Sequence, residues 1–219
     1  MFAIGHFALG YLTGKGSSKL LKTNLNLPLL LVASVLPDLD LILQMFSPTG
    51  FMHRGPTHSI ITFTILMIPF FIIYKKQAIP YFVVLLSHSL IGDFFTGGIE
   101  MLWPLSNGWF GNNLIDVGSL ADVVVEFSLF AVATVIMFKA KDLQRLLKPK
   151  KSNLLLLLSF GSVLGPMLAI RYESNSSLPT LLMFPSLFWL IVFAYSMLIS
   201  LRVKPEKPPS SKNVTMKVG

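Results

Sequence analysis

The chain has 219 residues, of which 53% are hydrophobic and 13% are charged, whereas about a quarter of a soluble domain is charged. This composition predicts an integral membrane protein. The absence of cysteine excludes disulfides and thiolate metal ligands. The net charge of +8 is compatible with nucleic-acid binding, but the placement of the basic residues argues against it, as shown below.

The apolar runs predict membrane helices, since a helix needs about 20 apolar residues to cross a bilayer. Phe2–Leu12 is shorter than that and is expected to form a short or half-inserted helix. No run alternates with the period of a strand, so a barrel is not expected. We therefore predict an all-α, polytopic helical membrane protein with about six to seven transmembrane helices. Six longer apolar runs are the candidates: Leu27–Phe46, Thr57–Tyr74, Ala78–Phe95, Asp116–Phe138, Leu154–Ile170 and Thr180–Leu201.

The basic residues orient these runs. All lysines and arginines except Arg54 and Arg171 fall on alternate connections or in the C-terminal tail. Because cytoplasmic loops are enriched in Lys and Arg, we expect the N-terminus outside the cell (inner or plasma) membrane and the C-terminus in the cytoplasm. Topology then explains the positive charge, and no nucleic-acid partner is expected. Residues 1–105 form a membrane-embedded region with polar motifs, residues 106–202 add further transmembrane helices, and residues 203–219 are predicted to be a disordered basic cytoplasmic tail.

All four histidines lie in the first 88 residues, each beside another polar residue. A carboxylate near the bilayer centre costs about 2.5–3.5 kcal/mol on insertion scales, so acids within these runs point to function. The orientation places all of these groups between the bilayer middle and its outer side, which predicts one polar site. The alternatives are a helix that ends at Pro37, a polar surface loop, and a lone hydrogen-bonded His88. The segments are Gly5-His6, Leu36-Pro37-Asp38-Leu39-Asp40, His53-Arg54-Gly55-Pro56-Thr57-His58-Ser59, and Ser87-His88 followed by Asp93.

Imidazole and carboxylate together suit a divalent metal, with zinc as the first choice and manganese or iron as alternatives. Asp38 and Asp40 diverge by ~200° on an ideal helix, so one is expected to bind metal while the other holds a histidine or Arg54. Asp40 and Arg54 are the predicted catalytic residues, Arg54 because its planar charged group suits phosphate. The set exceeds the four ligands of a tetrahedral zinc site and would suit two ions. The predicted metal ligands are His6, Asp38, His53, His58, His88 and Asp93.

The spacing of His88 and Asp93 is a specific difficulty. The two residues are five apart, which places them ~140° apart on an ideal helix. Gly92 is expected to permit a local bulge that brings both to one ion. Four further acids are left open between a role in the site and solvation near the outer interface: Glu100, Asp116, Asp122 and Glu126.

Taken in order, these motifs resemble the YdjM-type, LexA-regulated inner-membrane proteins, a family for which metal-dependent hydrolysis is predicted. The resemblance covers residues 1–105, where Gly98 and Leu102-Trp103-Pro104 follow the histidine motifs. It implies a helical membrane protein with a metal-dependent hydrolase site. It also implies an acid four residues after His88, where this chain has Gly92 and places the acid at Asp93.

The leading functional hypothesis is a membrane-bound hydrolase that cleaves a phosphoester of a lipid or lipid-linked substrate through a metal-activated water. The depth of the site favours a substrate that enters from the bilayer. The alternative is a non-enzymatic ion-binding protein or transporter that uses the same cluster, and a third possibility is that the polar segments do not converge. No H-E-x-x-H or G-x-S-x-G motif is present, which argues against a zincin or a serine hydrolase.

Overall fold

The computed structural model describes residues 1–41, 53–167 and 178–203. Over these residues the chain is helical, and its only strand-like pairings are isolated bridges, Thr96 with Asn113 and Ile99 with Phe110. This confirms the all-α class. The tail predicted to be disordered lies outside the described residues from 204 onward. The helices are α1 Ala3–Leu21, α2 Leu27–Ala33, α3 Ile60–Tyr74, α4 Ile79–Ser87, α5 Leu120–Lys139, α6 Asp142–Leu146, α7 Leu156–Met167 and α8 Thr180–Ser200.

Helix α1 lies at the centre of the fold and packs against α4 and α5. It runs for 19 residues rather than ending at Leu12 as predicted, and its C-cap, Lys22, adopts a left-handed conformation. Ile4, Phe7 and Tyr11 on this helix are almost completely buried. The apolar N-terminal run is therefore part of a longer, buried helix around which the other helices pack.

Three helical segments in the described part of the chain are long and apolar enough to cross a membrane: Ile60–Gln77, Leu120–Lys139 and Thr180–Ser200. The predicted count of six to seven is therefore too high for these residues. Ile79–Asp93 and Lys151–Gly165 are apolar but shorter. The predicted runs are longer than the helices because apolar residues continue past the helix ends.

The run from Leu27 shows this effect most clearly. Helix α2 ends at Ala33, and a 3₁₀ turn, Pro37–Leu39, follows it. Pro37 lacks an N–H to continue the helix, and the turn contains Asp38 and is followed directly by Asp40. The end of this run and of the run Leu154–Ile170 lies outside the described residues.

Helix α3 contrasts with α1 because it is mostly exposed. Only 11% of the segment Ile60–Gln77 is buried within the chain. Its main packing contact is with α4, through a small apolar cluster made by Phe63, Met67, Ala78 and Leu85. Such an apolar, exposed helix is typical of a surface that contacts lipid.

Candidate metal centre

Five side chains from four separate segments converge beside the N-terminal end of α1. We call them the His/Asp centre: His6, Asp38, His58, His88 and Asp93. His88 Nε2 lies 3.3 Å from Asp38 Oδ1 and 3.2 Å from Asp93 Oδ2. His58 Nε2 lies 3.5 Å from Asp38 Oδ1 and 3.2 Å from Asp93 Oδ2. The third possibility, that the polar segments do not converge, is therefore wrong.

The ring of His6 lies against the ring of His88 and is the fifth side chain of the centre. The two rings stack with centroids 3.7 Å apart and planes 16° from parallel. His6 Nε2 lies 3.8 Å from Asp93 Oδ1 and 4.0 Å from Asp38 Oδ2. Apart from Asp38, whose side chain is 17% exposed, the members of the centre are almost completely buried.

A π-helical turn resolves the spacing of His88 and Asp93. Residues His88–Asp93 form the continuation of α4, and Phe94 N donates to Ser89 O at 2.9 Å, a bond across five residues. The wider turn places residues five apart on the same face, as such bulges often do at functional sites. Gly92 lets the ring of His6 lie against this turn, since a Cβ there would lie 2.5 Å from His6 Cε1. The predicted bulge is confirmed.

The hydrogen bonds of His88 and His58 determine which nitrogen of each ring faces the centre. His88 Nδ1 lies 2.7 Å from Ser34 O, a carbonyl that can only accept, so Nδ1 carries the proton. Thr57 Oγ1 donates to Asp40 Oδ2 at 2.6 Å and thus accepts from His58 Nδ1 at 3.0 Å. In neutral rings, both Nε2 atoms then present lone pairs to the centre. Histidines that bind metals are commonly fixed in this way.

The centre fits a metal ion because its buried polar atoms are otherwise left without partners. His58 Nε2 and His88 Nε2 lie 3.2 Å apart beside two carboxylates, so in neutral rings their lone pairs would face each other. Neither ring nitrogen of His6 has a hydrogen-bond partner, and neither does Asp93 Oδ2. Metal bonds of about 2.0–2.2 Å would set tetrahedral ligand atoms about 3.3–3.6 Å apart, close to the observed spacing. An ion between these atoms would bind Asp93 Oδ2, one ring nitrogen of His6 and the Nε2 atoms of His58 and His88.

The carboxylates of the centre stabilise positive charge. Burial alone would lower the pKa of His58, but the nearby carboxylates of Asp38, Asp40 and Asp93 outweigh it and hold the pKa well above its ordinary value. His58 lies outside the three spanning helices, in the 3₁₀ turn Pro56–His58 that precedes α3. The surroundings of this ring therefore favour a cation, whether a proton or a metal ion.

Asp40 faces away from Asp38, as the two-residue spacing predicts. Its Oδ1 lies 2.9 Å from His53 Nδ1, and its Oδ2 accepts from Thr57. Burial raises the pKa of Asp40, but hydrogen bonds with His53 and His58 outweigh it, and the net pKa lies below its ordinary value. Asp40 thus stays ionised and holds the rings of His53 and His58.

His53 belongs to a second possible ion site. One ligand atom each from Asp38, His53 and His58 lies within 4.8 Å of the others, as do those of His6, Asp38, His88 and Asp93. Asp38 is common to both groups. At 29% exposure, the side chain of His53 is the most accessible of the four histidines.

Arg54 contacts the centre through Asp93. Its Nη2 lies 3.2 Å from Asp93 Oδ1, while Nη1 donates to Thr96 O at 2.8 Å and Nη2 to Thr96 Oγ1 at 3.2 Å. The guanidinium is 15% exposed. Arg54 therefore adds positive charge directly beside the proposed metal ligands, and its orientation is fixed by Thr96.

The first turn of α1 is held by an acid that the sequence left open. Glu126 on α5 accepts from Phe2 N at 2.7 Å and from Gly5 N at 3.1 Å. A carboxylate is favourable at a helix N-terminus because the first N–H groups have no partner in the helix. A Cβ at Gly5 would lie 2.8 Å from Glu126 Oε2, so the glycine before His6 lets this acid reach the backbone. Glu126 thereby positions His6.

The remaining open acids have other roles. Asp122 accepts from Gly118 N at 2.9 Å near the start of α5, and Asp116 is exposed. Glu100 is buried, and its N donates to Arg54 O at 2.9 Å. Within the described residues, neither possible ion-binding group includes Glu100, Asp116, Asp122 or Glu126.

Ser59 joins the turn that contains His58 to the segment Leu102-Trp103-Pro104. Ser59 Oγ caps α3 by accepting from Ile61 N at 3.1 Å, and it donates to Trp103 O at 2.6 Å. This one hydroxyl fixes the start of α3 and the loop after α4 relative to each other. His58, immediately before it, is thereby held at the centre.

A sequence profile of the family described as YdjM inner membrane protein matches residues 1–197. The chain belongs to this family. The match confirms the resemblance seen in residues 1–105 and extends it through α5 and α7 into α8, so α5, which carries Glu126, is part of the family's fold. Together with the apolar helices, membership indicates a membrane protein. No curated protein and no solved structure matches the chain.

Proposed function

We propose that this member of the YdjM family is a membrane-bound, metal-dependent hydrolase whose His/Asp centre holds the metal. One observation carries the proposal: His58 Nε2 and His88 Nε2 face each other at 3.2 Å between two carboxylates, with their other nitrogens fixed by Thr57 and Ser34. When bound, a divalent ion supplies Lewis acidity that polarises a phosphoryl oxygen and activates water. Zinc is the first choice for this ligand set, with manganese and iron as alternatives.

The residues around the centre support hydrolysis rather than storage of an ion. Asp40 fixes His53 through a 2.9 Å hydrogen bond, and the exposed part of the His53 ring makes it the group best placed to accept a proton from water. Arg54 adds charge beside Asp93 that favours an anionic substrate. We therefore propose a phosphoester as the substrate, carried by a lipid or lipid-linked molecule because the surrounding helices are apolar.

The proposal includes an orientation in which the N-terminus and the centre lie toward the outer side of the membrane and the C-terminus is cytoplasmic. The distribution of basic residues supports it. Because the chain has no cysteine, Asn107→Cys and Lys148→Cys each introduce a single thiol. An impermeant maleimide added to intact cells should label the first variant and not the second. Labelling in the opposite pattern would reverse the orientation.

The main experiment is metal analysis of the detergent-purified protein, after incubation with zinc, manganese or iron and removal of the excess. Wild type should retain at least one ion per chain, and Asp38→Ala and His58→Ala should lose it. Asp116→Ala, which removes an exposed acid, is the matched control and should behave as wild type.

Hydrolysis is then measured on phosphoesters, including phosphatidic acid, with the same four proteins. Loss of both metal and activity in Asp38→Ala and His58→Ala supports the proposal. A wild type that retains no metal contradicts it. Metal binding without cleavage of any phosphoester would favour the alternative of an ion-binding protein or transporter.

A further inference from the structure

A large groove lies alongside α3, apart from the interior of the His/Asp centre. It encloses about 1360 Å³, more than the roughly 300–1,000 Å³ of most small-molecule pockets. Its middle is apolar, and one wall is a face of α3. The residues that α3 contributes are Thr62, Phe63, Leu66, Met67, Phe70 and Tyr74.

One end of the groove is polar and basic. Lys15, Arg145 and Lys150 line it, and Asp142 is the acid among them. Asp142 pairs with both Lys15 and Arg145, so it balances only one of the three positive charges. Asn24 and Asn26, from the connection between α1 and α2, add polar groups at the same end. This end therefore has an excess of positive charge beside hydrogen-bonding groups.

The other end of the groove approaches the His/Asp centre. Pro37 and Thr57 line it there, next in sequence to Asp38 and His58. Helix α3 has 15 residues and so extends for about 22 Å between the two ends. An elongated apolar channel with one basic end matches an amphiphile that has an anionic head group and long hydrocarbon chains.

We propose that the groove binds an anionic glycerophospholipid, with its head group at Lys15, Arg145 and Lys150 and its acyl chains along α3. Charge complementarity at the basic end identifies the occupant, and the apolar middle accounts for its chains. Basic pockets at the ends of membrane helices bind anionic head groups by the same electrostatics. The site is separate from the proposed hydrolytic function and does not depend on a bound metal.

The physics of the bilayer assigns different roles to the two parts of the groove. Lipid chains are as apolar as leucine, so moving them from the bilayer into the groove changes their free energy little. The preference for one lipid over another must then come from the head group. The apolar walls determine whether the chains fit, and the basic end determines which lipid is retained.

The test measures lipid retention by native mass spectrometry of the metal-free, full-length protein. Dioleoyl phosphatidylglycerol is compared with dioleoyl phosphatidylcholine, which has the same chains and no net charge. Wild type should retain phosphatidylglycerol preferentially. Lys150→Gln should reduce that preference at least threefold, and Lys148→Gln, an exposed lysine two residues away that does not line the groove, should leave it unchanged.

A second pair of variants tests the apolar wall. Leu66 lines the groove and Ile65 does not, although they are adjacent on α3 and have similar exposures of 59% and 57%. Leu66→Trp should reduce retention of both lipids at least threefold, and Ile65→Trp should retain them as wild type does. Equal retention of the two lipids by wild type, or equal effects within either pair of variants, would overturn the proposal.

Discussion

Two buried acids contact α1 at different heights, Asp93 beside His6 and Asp142 beside Tyr11 and Lys15. Around Asp142, which is 1% exposed, Tyr11 Oη donates at 2.9 Å and Arg145 Nη1 at 3.1 Å. Lys15 completes this group of four, the Asp142 cluster. Each of its charged or hydroxyl groups has a partner of opposite polarity.

The His/Asp centre is more buried than the Asp142 cluster, in which the side chains of Lys15 and Arg145 are 30% and 62% exposed, but it is not satisfied in this way. Asp93 Oδ2 and both nitrogens of His6 have no hydrogen-bond partner, and His58 Nε2 lies 3.2 Å from His88 Nε2. Buried polar groups without partners are destabilising unless a ligand satisfies them. The comparison separates a polar cluster whose charged groups pair with one another from one whose buried groups do not, although both are built around a buried aspartate.

The strongest test of this contrast is Asp142→Ala. The variant leaves Tyr11 and Lys15 without their acceptor, which should cost about 3 kcal/mol of stability, the lower end of the range for breaking a buried ion pair. Thermal unfolding in detergent should show a clear decrease in Tm, while the metal content per folded chain stays at the wild-type value. Asp116→Ala, at an exposed acid, should leave both quantities unchanged. Loss of metal from folded Asp142→Ala would abolish the proposed separation.

Gly92→Ala should have the opposite pattern of effects: it should weaken metal binding more than it lowers the stability of the fold. The new Cβ would lie 2.5 Å from His6 Cε1, and α1 around His6 is too tightly packed to yield freely. Displacement of the ring should weaken metal binding by about 2 kcal/mol, within the range for overpacking. Isothermal titration with zinc measures the effect.

Gly16→Ala is the matched control for this substitution. Gly16 is also helical, but a Cβ there would meet nothing within 4 Å. Alanine favours a helix over glycine by up to about 1 kcal/mol, so this variant should be slightly more stable and should bind zinc as wild type does. Equal zinc affinities for the two alanine variants would show that His6 is not a ligand.

The sequence predicted the His/Asp centre better than it predicted the fold around it. Each short motif carries its own polar residues, and the need to bury Asp38, His58 and His88 in an apolar chain is enough to predict that they meet. The length of α1 was not predictable in the same way. The contacts that hold α1 come from residues far along the chain, since Glu126 accepts from Gly5 N 121 residues away and Asp142 accepts from Tyr11 131 residues away.

The residues that orient the histidines were missed for a related reason. Ser34 acts through its backbone carbonyl, which carries no sequence signal at all. Thr57 lies inside the motif between two predicted ligands, but its sequence position gives no sign of a role beyond that of a loop residue. Its hydrogen bond to Asp40 is shown only by the structure. For the described residues, the number of helices long and apolar enough to span a membrane was overestimated because apolar composition does not show where a helix ends.

Thr57→Val tests whether the hydrogen bonds that orient His58 contribute to metal binding. Valine keeps the shape but removes the donor to Asp40 and the acceptor for His58 Nδ1. Metal affinity should fall about tenfold, or about 1.4 kcal/mol, the lower end for losing a group that orients a metal-bound histidine. Thr64→Val, whose hydroxyl bonds only to the exposed backbone of Ile60, should bind zinc with wild-type affinity. An unchanged affinity in Thr57→Val would mean that the His58 tautomer is not fixed by Thr57.

His53→Ala should have the smallest effect on the first ion and should reveal whether there is a second. His53 is not a member of the His/Asp centre, so an ion held there should keep its affinity within about threefold, below 0.7 kcal/mol. An ion held by Asp38, His53 and His58 should be lost. If wild type binds two zinc ions per chain, the variant should bind one, counted by elemental analysis against protein concentration. If wild type binds one ion and His53→Ala still binds one, Asp38 is not shared between two ion sites. The partly exposed His53 then has one remaining role, that of a proton acceptor positioned by Asp40.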